Sequence, residues 1–68
     1  MRKKIHEPYE KAKRAFAGLG ITYNHIGAII GRTNTSVQFK INGESDFTIS
    51  EVDKICKETG LPLDIFLP

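Results

Sequence analysis

Apolar residues recur at helical rather than alternating spacing along most of this chain. Tyr9, Ala12, Phe16 and Leu19 fall three or four residues apart, the period of one helical face. Pro8 precedes them and suits a first helical position, where its missing N–H leaves nothing unsatisfied. The spacing predicts a first helix opened at Glu7-Pro8 and stopped by Gly18 and Gly20. A second helix is expected after Thr22, a good N-cap, with Ile26, Ile29 and Ile30 as its apolar face and Gly31 as its stop. Thr33 then caps a third helix over about 34–42, with Val37 and Ile41 facing the core and Asn42-Gly43 ending it. Thr48-Ile49-Ser50-Glu51 has the capping-box pattern. It predicts a fourth helix over about 49–59, burying Val52, Ile55 and Cys56 or Ile49 and ending at Gly60. Pro62 starts a short fifth turn, and Leu61, Ile65 and Phe66 close the core. No stretch alternates as a strand does, and no repeat is visible. The expected fold is all-α with five helices: a single domain over residues 7–68, preceded by a basic flexible arm over residues 1–6.

Charge changes this picture more than composition does. The net charge of the 68 residues is +2, but it is unevenly spread. Residues 1–14 hold six basic side chains against Glu7 and Glu10. Residues 15–43 hold Arg32 and Lys40 and no acid. Residues 44–68 hold six acids against Lys54 and Lys57. A polyanion is therefore drawn to the first two-thirds and repelled by the last third. A chain this short cannot build a large catalytic cleft. Its one cysteine, Cys56, can form no internal disulfide and reads as a small hydrophobe on the apolar face of its helix. His6, placed in the arm, and His25 stand apart from any metal-ligand spacing. No enzyme activity, metal or cofactor is expected. Neither a membrane-spanning run nor a signal-peptide pattern is present, and a cytoplasmic location is expected.

The stretch from Thr22 to Gly43 carries the sharper chemistry. Two short helices flank a glycine-centred turn, and the second carries short polar side chains where a surface helix usually has Glu and Lys. Such a pair, with the start of its second helix protruding, suits a DNA groove. Gly27, four residues before Gly31, allows close packing of the two helices. Phosphate contacts are expected from Thr22, Tyr23 and Asn24 at the start of the second helix, where free N–H groups and the helix dipole attract anions. Arg32 and Thr33 in the turn, and Lys40 and Asn42 at the far end of the third helix, are further candidates, although Thr33 serves first as a cap. Arg2, Lys3 and Lys4 are candidates for arm contacts.

Residues 22–66 resemble the lambda-repressor/Cro type of helix-turn-helix domain, the Xre family. F-K-I-N-G, then S-D-F-T-I-S-E-V and a closing D-I-F, are similar to small phage-encoded Cro-like regulators. Two positions depart from the family pattern: Gly27 stands where Ala is usual, and Arg32 where an apolar residue usually follows the turn glycine. The resemblance implies a lambda-repressor-like fold and a transcriptional regulator, a repressor occupying an operator in a phage or prophage switch. The family reads bases from early and middle outward positions of the third helix, here Asn34, Thr35 and Gln38, with Ser36 as a base or phosphate contact. Their chemistry agrees: Asn and Gln can bridge adenine N6 and N7, and a Thr methyl can touch that of thymine. The partner so implied is double-stranded DNA, bound by a weak homodimer or a dimer formed on DNA. The alternative is an antirepressor-like module that uses the same fold to bind a partner repressor protein, through the acidic last third.

Overall fold

The computed structural model describes residues 3–67. Among them the chain is all helical: α1 (Glu10–Leu19), α2 (Tyr23–Ile30), α3 (Asn34–Asn42), α4 (Ile49–Thr59) and a 3-10 turn (Leu63–Phe66). The fifth element is thus one 3-10 turn rather than a full helix. α2 packs on α3 and α4, while α1 packs on the 3-10 turn, which also meets α4.

Local chemistry sets most of these boundaries. Thr22, Thr33 and Thr48 each accept a backbone N–H three residues on, from His25, Ser36 and Glu51. The Glu51 carboxylate accepts the Thr48 N–H in return, at 2.9 Å, which completes the capping box. α1 starts two residues later than Pro8 suggests. The Tyr9 N–H is taken by the Ile41 carbonyl of α3 at 3.0 Å, so Pro8 and Tyr9 form a bridge to α3 instead of a first turn.

At its other end, α1 closes with the Gly20 N–H on Ala17 O and the Ile21 N–H on Phe16 O. These two hydrogen bonds fold Ile21 back against the helix. Ile21 packs against the core, and Leu19, expected in the buried stripe, is left 58% exposed.

The core gathers Ala12 and Phe16 of α1, Ile26 of α2, Val37 and Ile41 of α3, Phe47, Ile55 of α4, and Ile65 and Phe66. Phe66 is its aromatic hub, with ring centroids 5.4 Å from both Tyr9 and Phe47 and 6.5 Å from Phe16. On α4, Val52 and Cys56 are half-buried, whereas Ile49, a candidate for the buried face, is 91% exposed.

The segment expected as a free arm is partly docked. The Ile5 and His6 N–H groups both reach the Gly43 carbonyl, at 2.6 and 3.3 Å. His6 Nδ1 lies 2.7 Å from Glu7 O, and Nε2 lies 2.6 Å from Ser45 O. The ring is 4.4 Å from that of Tyr9. Gly43, with φ of 103°, allows this docking, because a Cβ there would overlap the His6 carbonyl oxygen.

Candidate nucleic-acid interface

The α2–α3 connection is a tight reversal built on Gly27, Gly31 and Thr33. Gly31 takes a left-handed φ of 71°. The Arg32 N–H returns to Gly27 O at 2.8 Å, and the Arg32 carbonyl lies so close to Gly27 that any Cβ there would overlap it. Glycine at position 27 is therefore demanded by contact. At the start of α3, Thr33 Oγ1 accepts the Ser36 N–H at 3.1 Å and Thr33 O accepts the Val37 N–H at 3.1 Å.

The exposed side chains on this pair are short and polar. Asn24, Thr35 and Gln38 are exposed, and Asn34 and Ser36 are half-buried. Three of them form a chain across the two helices. Asn34 Nδ2 donates to Asn24 Oδ1 at 3.1 Å, and Gln38 Nε2 donates to Asn34 Oδ1. Asn34 thus uses both ends of its amide within the protein. Gln38 keeps its Oε1 and one Nε2 hydrogen, an acceptor and a donor side by side.

The expected phosphate contacts separate into several groups. Thr22 caps α2 and Tyr23 begins it half-buried. Burial, and secondly the Glu10 carboxylate, push the Tyr23 hydroxyl up from its ordinary range. Arg32 remains 55% exposed at its side chain, although its Nε donates to Glu51 Oε2 at 3.2 Å. Asn42 is half-buried in the last position of α3, the negative end of the helix dipole, which disfavours phosphate. Lys3 and Lys4 are exposed, and Arg2 lies outside the described residues. His25 is exposed on α2.

Lys40 is the correction. Its side chain is 9% exposed and points inward, with Nζ 2.8 Å from Asp46 O, 3.3 Å from Glu51 Oε1 and 5.7 Å from the Phe47 ring centroid. Its amine is therefore engaged inside the domain instead of being offered to solvent, as a phosphate contact requires. Helical spacing carries the signal: Val37, Lys40 and Ile41 share one face, and a capping-box glutamate stands ready as counter-charge.

Glu51 was not singled out in sequence beyond its cap, yet it joins three elements. It accepts from Thr48 N–H, Lys40 and Arg32. Burial alone raises a carboxyl group, but the Thr48 N–H and the two cations outweigh it and hold Glu51 below its ordinary range.

Elsewhere the surface offers an apolar groove of about 500 Å³ between Phe47, Ile49, Val52, Cys56, Leu63 and Leu67, edged by Asp46 and Asp53. Among the described residues no group of three His, Cys, Asp or Glu could hold a metal ion, and no helix is long and apolar enough to cross a membrane. No family model, curated protein or solved structure matches the chain.

Proposed function

We propose that this chain is a repressor-like helix-turn-helix domain, with four α-helices and a closing 3-10 turn, that binds duplex DNA sequence-specifically and regulates transcription by occupying an operator. The observation that carries the reading is the Asn24–Asn34–Gln38 chain on an outer surface supplied by a segment with no acid between residues 15 and 43. A row of amides held in one arrangement, exposed at Asn24 and Gln38, suits base edges, which offer paired donors and acceptors. Gln38 is the best-presented reader, with Asn34 as its support, and Thr35 adds a methyl for thymine. Arg32, Thr22 and the start of α3 supply phosphate contacts. No arginine stands in the middle of this surface, so A·T pairs are the favoured targets. α3 has nine residues and reads only a few base pairs, so a second copy on a neighbouring half-site completes the specificity.

Duplexes selected from a random pool, titrated against salt beside unselected duplex, test this. The selected site should bind at least about tenfold more tightly at physiological salt, and both affinities should fall as salt rises. Equal affinity for the two pools would end the base-reading claim. Gln38→Ala should cost about 1–3 kcal/mol on the selected site alone.

A second reading has one observation behind it. Ile49 is 91% exposed beside the apolar groove, an arrangement suited to binding another regulator. If a regulator is captured from nuclease-treated lysate, Ile49→Asp abolishes the capture and the free chain binds no duplex, that reading replaces the first.

A further inference from the structure

We infer that Glu51, which lies outside the reading surface, positions Arg32 for a DNA phosphate. The inference rests on duplex DNA being the ligand and adds a residue that the reading surface does not include.

Arg32 sits in the α2–α3 turn, and its backbone is fixed at both ends. Its N–H is bonded to Gly27 O at 2.8 Å, and its carbonyl is packed against Gly27. Its side chain is long, and nothing local holds it. Glu51 supplies the hold. Its Oε2 accepts from Arg32 Nε at 3.2 Å, with the carboxylate side chain 10% exposed and the arginine side chain 55% exposed. Of the five guanidinium donors, this bond takes the innermost, and the four N–H groups of the terminal fork remain. A planar fork anchored by its stem presents two parallel donors, the geometry a phosphate accepts.

The anchor is itself immobilised. Glu51 Oε1 accepts from Thr48 N–H at 2.9 Å and from Lys40 Nζ at 3.3 Å, and the Glu51 N–H returns to Thr48 Oγ1 at 3.1 Å. Lys40 neutralises much of the carboxylate, so Glu51 aims Arg32 without placing a bare negative charge beside the DNA. The site it prepares adjoins the start of α3, where backbone N–H groups and the helix dipole favour the same anion.

Glu51→Gln tests this, because glutamine can still serve in the capping box. Affinity for a selected and an unselected duplex is measured across salt for the parent, Glu51→Gln, Arg32→Gln and the double variant. Both single variants should weaken binding to both duplexes by a similar factor, roughly three- to tenfold, and lower the salt slope by about one. The double variant should bind about as Arg32→Gln alone. Arg32→Lys leaves Glu51 untouched and covers the case in which Glu51→Gln fails to fold. It keeps the charge but lacks the stem N–H and fork, and should lose affinity by a similar factor. Unchanged or tighter binding by Glu51→Gln, losses that multiply in the double variant, or parental affinity for Arg32→Lys each overturn the role of Glu51 while leaving the DNA reading intact. A parent that binds neither duplex overturns both.

Discussion

Replacing Gly27 with alanine sets two effects of known size against each other. Gly27 is in the interior of α2, where alanine is favoured over glycine by about 0.8–1 kcal/mol. On propensity alone the substitution stabilises. The added methyl, however, would meet the Arg32 carbonyl oxygen well inside contact distance. Backbone cannot swing away as a flexible side chain can, so the α2–α3 turn must shift. Overpacking of this kind costs about 1–3 kcal/mol. A shift that breaks the Arg32 N–H to Gly27 O bond adds about 1 kcal/mol. The net expectation is a loss of about 1–3 kcal/mol. Each kcal/mol lowers the melting temperature of a domain this size by about 4–8 °C. Two companion substitutions separate the terms. Gly18→Ala lies in α1 with open space around it, and should gain up to about 1 kcal/mol. Gly31→Ala also meets nothing but must hold a φ of 71°, so it should lose about 1–2 kcal/mol from conformation alone. Chemical denaturation followed by helical circular dichroism measures all three. If Gly27→Ala proves as stable as the parent or more so, the close approach of α2 and the turn is not the constraint described above.

Four further outcomes are expected. Glu51→Ala should cost about 3–5 kcal/mol, because it leaves Lys40 buried without its counter-charge. Adding Lys40→Met should restore part of that loss, and strictly additive losses in a double-mutant cycle would refute the pairing. Since Glu51 is held below its unfolded value of about 4.5, its contribution is present above that pH and is lost as pH falls through the lower folded value. Glu51→Gln should therefore flatten the acid limb of the denaturation midpoint plotted against pH. Burial, then the hydrogen bond to Asp46 and its charge, push Tyr9 up to about 12 from 10.0. That stabilisation is present below pH 10 and lost as pH rises through about 12, so a tyrosinate absorbance titration should show one tyrosine ionising only near about 12, a step absent from Tyr9→Phe. Burial first, and Asp53 second, push the Cys56 thiol up, so a thiol reagent at neutral pH should modify it more slowly than a free cysteine peptide, and equal rates would show the group to be open.

The parts of the fold legible in the sequence are those encoded within a few residues. Three threonine caps, a capping box and the glycine stops mark α2, α3 and α4, because each signal and its partner lie within one helical turn. The features that sequence reading missed depend on partners far along the chain. Pro8 points to a helix start, yet the Tyr9 N–H is taken by Ile41 O. His6 looks like part of a loose tail, yet Gly43, Ser45 and Tyr9 receive it. Lys40 shows the opposite failure. Its spacing with Val37 and Ile41 placed it on the core face, but its charge suggested solvent. Of the candidate contacts, the early residues of α3 lie where helical spacing puts them. The hydrogen bonds joining Asn24, Asn34 and Gln38 across two helices leave no trace in either segment alone.

The central place of Phe66 bears on how the chain folds. Its ring touches the neighbourhoods of Tyr9, Phe16 and Phe47 at once, so three earlier segments share one partner supplied from a distant part of the chain. Until residue 66 has docked, Phe16 has no ring to pack against at this position. The α2–α3 pair can assemble early from neighbouring residues, whereas α1 must wait, and long-range closures of this kind are slow relative to local ones. The apolar α1 face therefore stays uncovered until the segment around Phe66 docks on it.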